Sequence, residues 1–227
     1  MFDKARWSQL LSGTGGAKRA RASLEYLCHT YRRPVLVFIR HRGYRSDEAE
    51  ALTHQFFALV LKGAFNWSAD PDRGRFRRVL MASLERYLSG NPVPRPRAGA
   101  VPPEPSLSGE FFDPRLNSAQ HFDRAWALAL LERAVLGLAR ESGANGHAAE
   151  FEALKGFLVE NPKPGDYERM AEASGIRASA LRSALDGLRR RLDVLVREAL
   201  SETLADPGEV DDELDVLRAA LSGIPAL

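Results

Sequence analysis

The segment Tyr167 to Arg191 reads YERMAEASGIRASALRSALDGLRRR, and its residue types and spacing point to chemistry. Ala171 is followed four residues later by Gly175, then by Ile176, with Leu181 and Ala184 completing the pattern. This is the skeleton of a helix-turn-helix. A small residue in the first helix lets the second approach, glycine takes the left-handed turn, and the later apolar positions seat the second helix. The pattern turns Ser179, Arg182, Ser183 and Asp186 outward, towards a major groove. Arg189, Arg190 and Arg191 would then lie near phosphates and add salt-dependent, sequence-independent affinity. An ordinary αα-hairpin with a glycine turn is the competing explanation, and the five matching positions favour DNA.

Other reactive side chains do not assemble into a catalytic set. His29, His41, His54, His121 and His147 are dispersed, with no metal-ligand spacing. Cys28 and His29 are adjacent in sequence, so on a helix their side chains diverge by about 100°, a poor nucleophile–base pair. Gly13 to Lys18 (GTGGAK) lacks both the preceding apolar strand and the spacing of a phosphate loop. A single cysteine excludes a multi-cysteine zinc site and an internal disulfide. No enzyme, metal or cofactor is expected.

The elements that must position these residues follow from composition and period. The 227 residues are 44% apolar and 27% charged, which suits a packed core in one or two domains. No apolar run is long enough to span a bilayer and no secretory signal is visible, so a cytoplasmic protein without a membrane partner is expected. The net charge of +2 hides an asymmetry. Residues 1–45 carry ten Lys/Arg against two acids, whereas residues 201–227 carry seven acids against Arg218 alone. Arginine-rich stretches run from Arg73 to Arg97 and from Arg177 to Arg197. Such patches suit a polyanion.

Asn91 to Gly109 holds six prolines in nineteen residues, too many for a helix, and reads as an extended linker. Helical stripes flank it: Ala49, Leu52, Phe56 and Val60; then Phe76, Val79, Leu80, Leu84 and Leu88; then Leu128, Leu131, Val135 and Leu138; then Leu181, Leu185, Leu188, Leu192 and Leu195. The expected fold is all-α in two domains. The expected divisions are a flexible basic tail (1–20), a first helical domain (21–90), the linker (91–121), the helix-turn-helix domain (122–205) and an acidic C-terminal helix (206–227). That last helix should be capped near Asp206 with Pro207 in its first turn. It could shield the basic recognition helix, but a solvated helix is the preferred reading.

In this order, the segments AEALTHQFF (49–57), ADPDRGRFRRVLMASL (69–84), FDRAWALALL (122–131), LRRRLDVLVREAL (188–200) and ADPGEVDDELDVLRAAL (205–221) resemble bacterial sigma factors of the extracytoplasmic-function type. The resemblance implies a region 2 domain and a region 4 domain, with core RNA polymerase and promoter DNA as partners. It places Glu48, Glu50, Thr53 and Gln55 on the surface that docks on the polymerase β′ clamp helices. It places Arg73, Arg75, Arg77, Arg78 and Arg86 at the minus-ten element and its melted strand, with Phe76 and Tyr87 more suited to the core. The helix-turn-helix would read the minus-thirty-five element and touch the β flap. An anti-sigma factor and a Ser/Thr kinase are further partner classes.

The sequence also departs from the family pattern. Ala51 replaces a second aspartate, His54 a glutamine, Arg177 the usual Ser/Thr cap, and Asp186 and Gly187 the usual histidine and arginine. A degenerate sigma-like protein that binds polymerase or a regulator without initiating is the alternative function. Loss of an acid at Ala51 raises one further expectation. Phosphorylation of Thr53, a helical neighbour of Glu50, would restore the missing negative charge; the preferred reading of Thr53 is structural, with its hydroxyl bonded to the Ala49 carbonyl.

Overall fold

The computed structural model describes residues 7, 10, 16–65, 67, 74–90 and 113–222. Among them the fold is all-helical, with no strand: α1 (Gly16–His41), α2 (Ser46–Leu61), α3 (Phe76–Gly90), α4 (Ser118–Ala144), α5 (Ala148–Leu154), α6 (Asp166–Ser174), α7 (Ala178–Ser201) and α8 (Val210–Leu221). No described helix is long and apolar enough to cross a membrane. The chain packs as two compact units, the described residues of Met1–Ala129 with Leu200–Ser222, and Leu130–Ala199.

The division differs from the sequence expectation. It falls inside α4 and α7 rather than in the proline-rich stretch, of which residues 91–112 lie outside the described residues. Residues 118–121, expected to be linker, form the first turn of α4. Asn117 Oδ1 accepts from the Gln120 N–H at 2.9 Å, while Gln120 Oε1 accepts from the Asn117 N–H at 2.8 Å. Two orphan donors are thus satisfied reciprocally, and the helix starts there. Of the expected tail, residues 16–20 already belong to α1. Trp7 is buried, with its N–H bonded to the Glu202 carbonyl at 3.0 Å.

The first unit is built around aromatic side chains. Trp7, Tyr31 and Phe76 meet edge-to-face at 5.0–5.1 Å between ring centroids, and Trp67 closes on Phe76 at 5.9 Å. In α1 the run from Pro34 to Arg40 is buried, and this burial outweighs the ladder bond lost at Pro34. The α2 and α3 stripes face inward as their period requires, with Ala49, Leu52, Phe56, Val60, Phe76, Val79, Leu80, Leu84 and Leu88 buried.

The acidic C-terminal helix is part of this unit, not a solvated appendage. Asp206 and Pro207 open a separate 3-10 turn, Pro207–Glu209, that leads into α8, rather than capping the helix itself: Asp206 accepts from the Gly208 N–H at 2.8 Å, whereas no side chain caps Val210. Residues before it are stitched to the start of α3, with Phe76 N–H bonded to Thr203 O at 3.0 Å and Ala205 N–H to Gly74 O at 2.8 Å. Leu204, Leu214 and Leu217 are buried behind this strap.

In the second unit, Leu138, Phe151, Leu154, Leu158, Leu181, Leu185 and Leu192 are buried. They hold the last part of α4, α5, α6 and the first part of α7 together.

Candidate nucleic-acid interface

Gly175 connects α6 to α7 in the left-handed conformation (φ 71°), with its N–H bonded to the Ala171 carbonyl at 2.9 Å. At the start of α7 the Arg177 carbonyl accepts from the Ala180 and Leu181 N–H groups at 2.9 and 3.1 Å. Leu181 and Leu185 seat α7 on its own unit at 0% and 1% exposure. The opposite face presents Ser179, Arg182, Ser183, Asp186 and Arg190, all exposed. Arg182 stands over the Tyr167 ring at 4.9 Å and 3.7 Å from Glu168, which holds its guanidinium at the mouth of the turn. Gly187 lies on a groove of about 330 Å³ lined by Leu138, Ser142, Ala184 and Leu188.

The other two arginines expected at phosphates are committed internally. Arg189 donates to the carbonyls of Phe157 and Glu160 and to Asn161 Oδ1, so it staples the loop between α5 and α6. Arg191 makes two 2.7 Å bonds to the Glu141 carboxylate, with Glu198 at 3.6 Å. The Glu141 bonds raise the Arg191 pKa, and the same bonds lower that of Glu141. Of the three arginines, Arg190 is the one left exposed.

On α2, Glu48 is exposed, and its carboxylate accepts from the Arg45 N–H at 3.0 Å, capping the helix from its third position. Glu50 pairs with Arg32 at 3.1 Å, and the same guanidinium donates to His54 Nε2 at 2.6 Å. Gln55 is exposed and accepts from the Tyr87 hydroxyl at 3.0 Å. Thr53 is the exception. Its side chain is fully buried, and its hydroxyl donates to the Ala49 carbonyl at 2.7 Å. Thr53 therefore lies off the docking surface, and its oxygen is out of a kinase's reach; the backbone-bonded role is the one found.

The arginines ahead of and within α3 divide sharply. Arg73 lies outside the described residues. Arg78 and Arg86 are exposed. Arg77 is buried: it donates to both Glu213 oxygens (2.8 and 3.5 Å), pairs with Asp123, and stacks over Trp126 at 4.8 Å. Burial opposes its charge, but the Glu213 bonds and the Asp123 and Glu213 carboxylates outweigh that and raise its pKa. The expected contact of Arg77 with a melted strand is replaced by this internal pairing. Arg75 is intermediate, ringed by Glu209 at 3.0 Å, Asp212 at 3.3 Å and Glu213 at 3.4 Å. Phe76 is core, as expected, and Tyr87 is half-buried against Phe56.

No family model, characterised protein or solved structure matches the chain. Reading the sequence alone missed the acids that hold Arg75 and Arg77. The signal was the opposite sign of residues 73–97 and 201–227, which far-apart stretches can satisfy on each other. Cys28 is buried and its thiol pKa is pushed up to about 12 by burial, so it is not a nucleophile at neutral pH. Among the described residues no cluster of metal-ligating side chains is found.

Proposed function

We propose that this chain is a diverged sigma factor of the extracytoplasmic-function type. It binds core RNA polymerase in the cytoplasm and directs it to promoters, with no catalytic role of its own. The observation that carries the reading is the α6–Gly175–α7 turn, whose exposed face holds Ser179, Arg182, Ser183, Asp186 and Arg190 in helical register. The order of family-like segments along the chain supports it, as do the carboxylates of Glu48, which is exposed, and Glu50, which is half-buried and paired with Arg32, on α2.

A sigma-like protein that occupies polymerase without initiating is the second reading. The internal commitment of Arg77, Arg189 and Arg191, each expected at DNA, favours it. Transcription in vitro with bacterial core polymerase and a genomic promoter library separates the two. Specific run-off products support the first reading, binding without product supports the second, and no binding removes both. Glu48→Gln with Glu50→Gln keeps an acceptor for the Arg45 N–H that caps α2, and should weaken core binding without loss of helicity; unchanged affinity removes the docking assignment.

A further inference from the structure

The acids around Arg75 and Arg77 form two tiers with different physical character. The inner tier is Arg77 with Glu213, whose side chains are 8% and 1% exposed. Charges so deeply desolvated do not exchange partners readily, because either one left alone is strongly destabilising. Backbone bonds from Thr203 and Ala205 to the start of α3 add to this anchor. The outer tier is Arg75, 18% exposed, which touches the buried Glu213 at 3.4 Å and is otherwise held by Glu209 and Asp212, which are 40% and 74% exposed. Pairs with one partner this wet are weak, screened by salt and open to competition. A phosphate approaching Arg75 must displace two surface carboxylates, but it need not move α8.

We propose that Glu209 and Asp212 stand in for phosphate at Arg75, so that the C-terminal segment sets the nucleic-acid affinity of the α3 face. The inference rests on the reading of that face as a single-strand binding surface. It assigns the segment a graded role: the anchor keeps it in place, and the outer carboxylates tax every strand that reaches Arg75. Arg78 and Arg86, exposed on α3, extend the same cationic surface. The ligand is the sugar–phosphate backbone of single-stranded nucleic acid, recognised by charge rather than by base.

The test uses the full chain and a fluorescein-labelled mixed-sequence single-stranded DNA, followed by anisotropy across a salt series. Glu209→Gln with Asp212→Asn leaves the Glu213–Arg77 pair in place, and circular dichroism checks that helicity is unchanged. The double variant should tighten binding by about three- to tenfold at low salt. It should also steepen the salt dependence by about 0.7, one added phosphate contact on a single strand. Adding Arg75→Ala should erase the gain. Asp215→Asn, one charge on the same helix but paired with Arg218 instead, is the control for net charge and should do much less than Asp212→Asn alone. No gain in the double variant overturns the proposal. A gain that survives Arg75→Ala, or one that Asp215→Asn reproduces, overturns it equally. The outcome is independent of the sigma-factor assignment. Unmasking without any polymerase-dependent transcript sinks that assignment alone, and transcription with no unmasking sinks only the stand-in role.

Discussion

Removing the Glu213 carboxylate should unfold the first unit more easily than any other single loss of an acid. Glu213 is 1% exposed and holds Arg77, itself 8% exposed, through two hydrogen bonds. Breaking a buried pair from one side costs about 3–5 kcal/mol, because the remaining charge keeps its desolvation penalty. Asp123 still faces Arg77 after Glu213→Ala, which places the cost near the lower end, about 3 kcal/mol. At roughly 2–4 °C per kcal/mol for a chain of this length, the midpoint should fall by roughly 6–12 °C. Urea unfolding followed by circular dichroism measures the free energy directly. The double variant Arg77→Met with Glu213→Leu should cost less than the sum of its single changes, by more than about 1 kcal/mol. In it Asp123, whose pKa burial already raises, is left to protonate. Additive single effects, or a loss from Glu213→Ala below about 0.5 kcal/mol, would refute the claim that this pair is a desolvated anchor.

Thr53→Glu should destabilise far more than Thr53→Ala, since it forces a charge into a fully buried site; equal urea midpoints would show that the site opens to solvent. Burial, the stacked His121 ring 3.5 Å away and Arg40 lower the His41 pKa to about 4. The unfolded chain then binds the proton first, so stability should fall as pH drops from about 6.5 towards 4. The expected loss is about 1 kcal/mol between pH 7 and pH 5 after allowing for solvent screening, and His41→Phe should flatten that slope in urea titrations at the two pH values. Gly175→Ala should cost about 1 kcal/mol because φ is positive there, whereas Gly187→Ala, with nothing within 4 Å of the added methyl, should gain about 0.5–1 kcal/mol. Calorimetric midpoints moving the same way in both variants would contradict this.

Local period made the helices and the inward faces of α2 and α3 readable, but on α4 it pointed to Leu128, Leu131 and Val135, which are half-buried, while Leu130 and Ala134 take the core positions. Leu52, Phe56, Leu80, Leu84, Leu181 and Leu185 are buried where a 3.6-residue repeat puts them. The Gly175 turn was readable for the same reason, since a positive φ four residues after a small residue is a local signature. The start of α4 was also written locally, in the Asn117–Gln120 capping pair, but the prolines before it drew the boundary too late. What local pattern cannot carry is pairing across the chain. Arg77 and Glu213 lie 136 positions apart, and nothing near either one marks it as buried. Arg189 and Arg191 read as phosphate contacts because their partners, the Phe157 carbonyl and Glu141, are set by tertiary packing. For Thr53 the family-like motif and the helix back-bond made opposite demands on one hydroxyl, and the buried one prevailed.

The strap that joins Thr203 and Ala205 to the start of α3 also sets an order of events during synthesis. The first unit is discontinuous in sequence, with all of Leu130–Ala199 inserted between its two parts. A ribosome releases α1, α2 and α3 long before α8, so Arg77 emerges with no Glu213 to meet it. Until then the nascent first unit lacks both its deepest counter-charge and the cover of Leu204, Leu214 and Leu217. The described residues of the second unit are contiguous in sequence. The first unit thus becomes whole only once its last helix has been made.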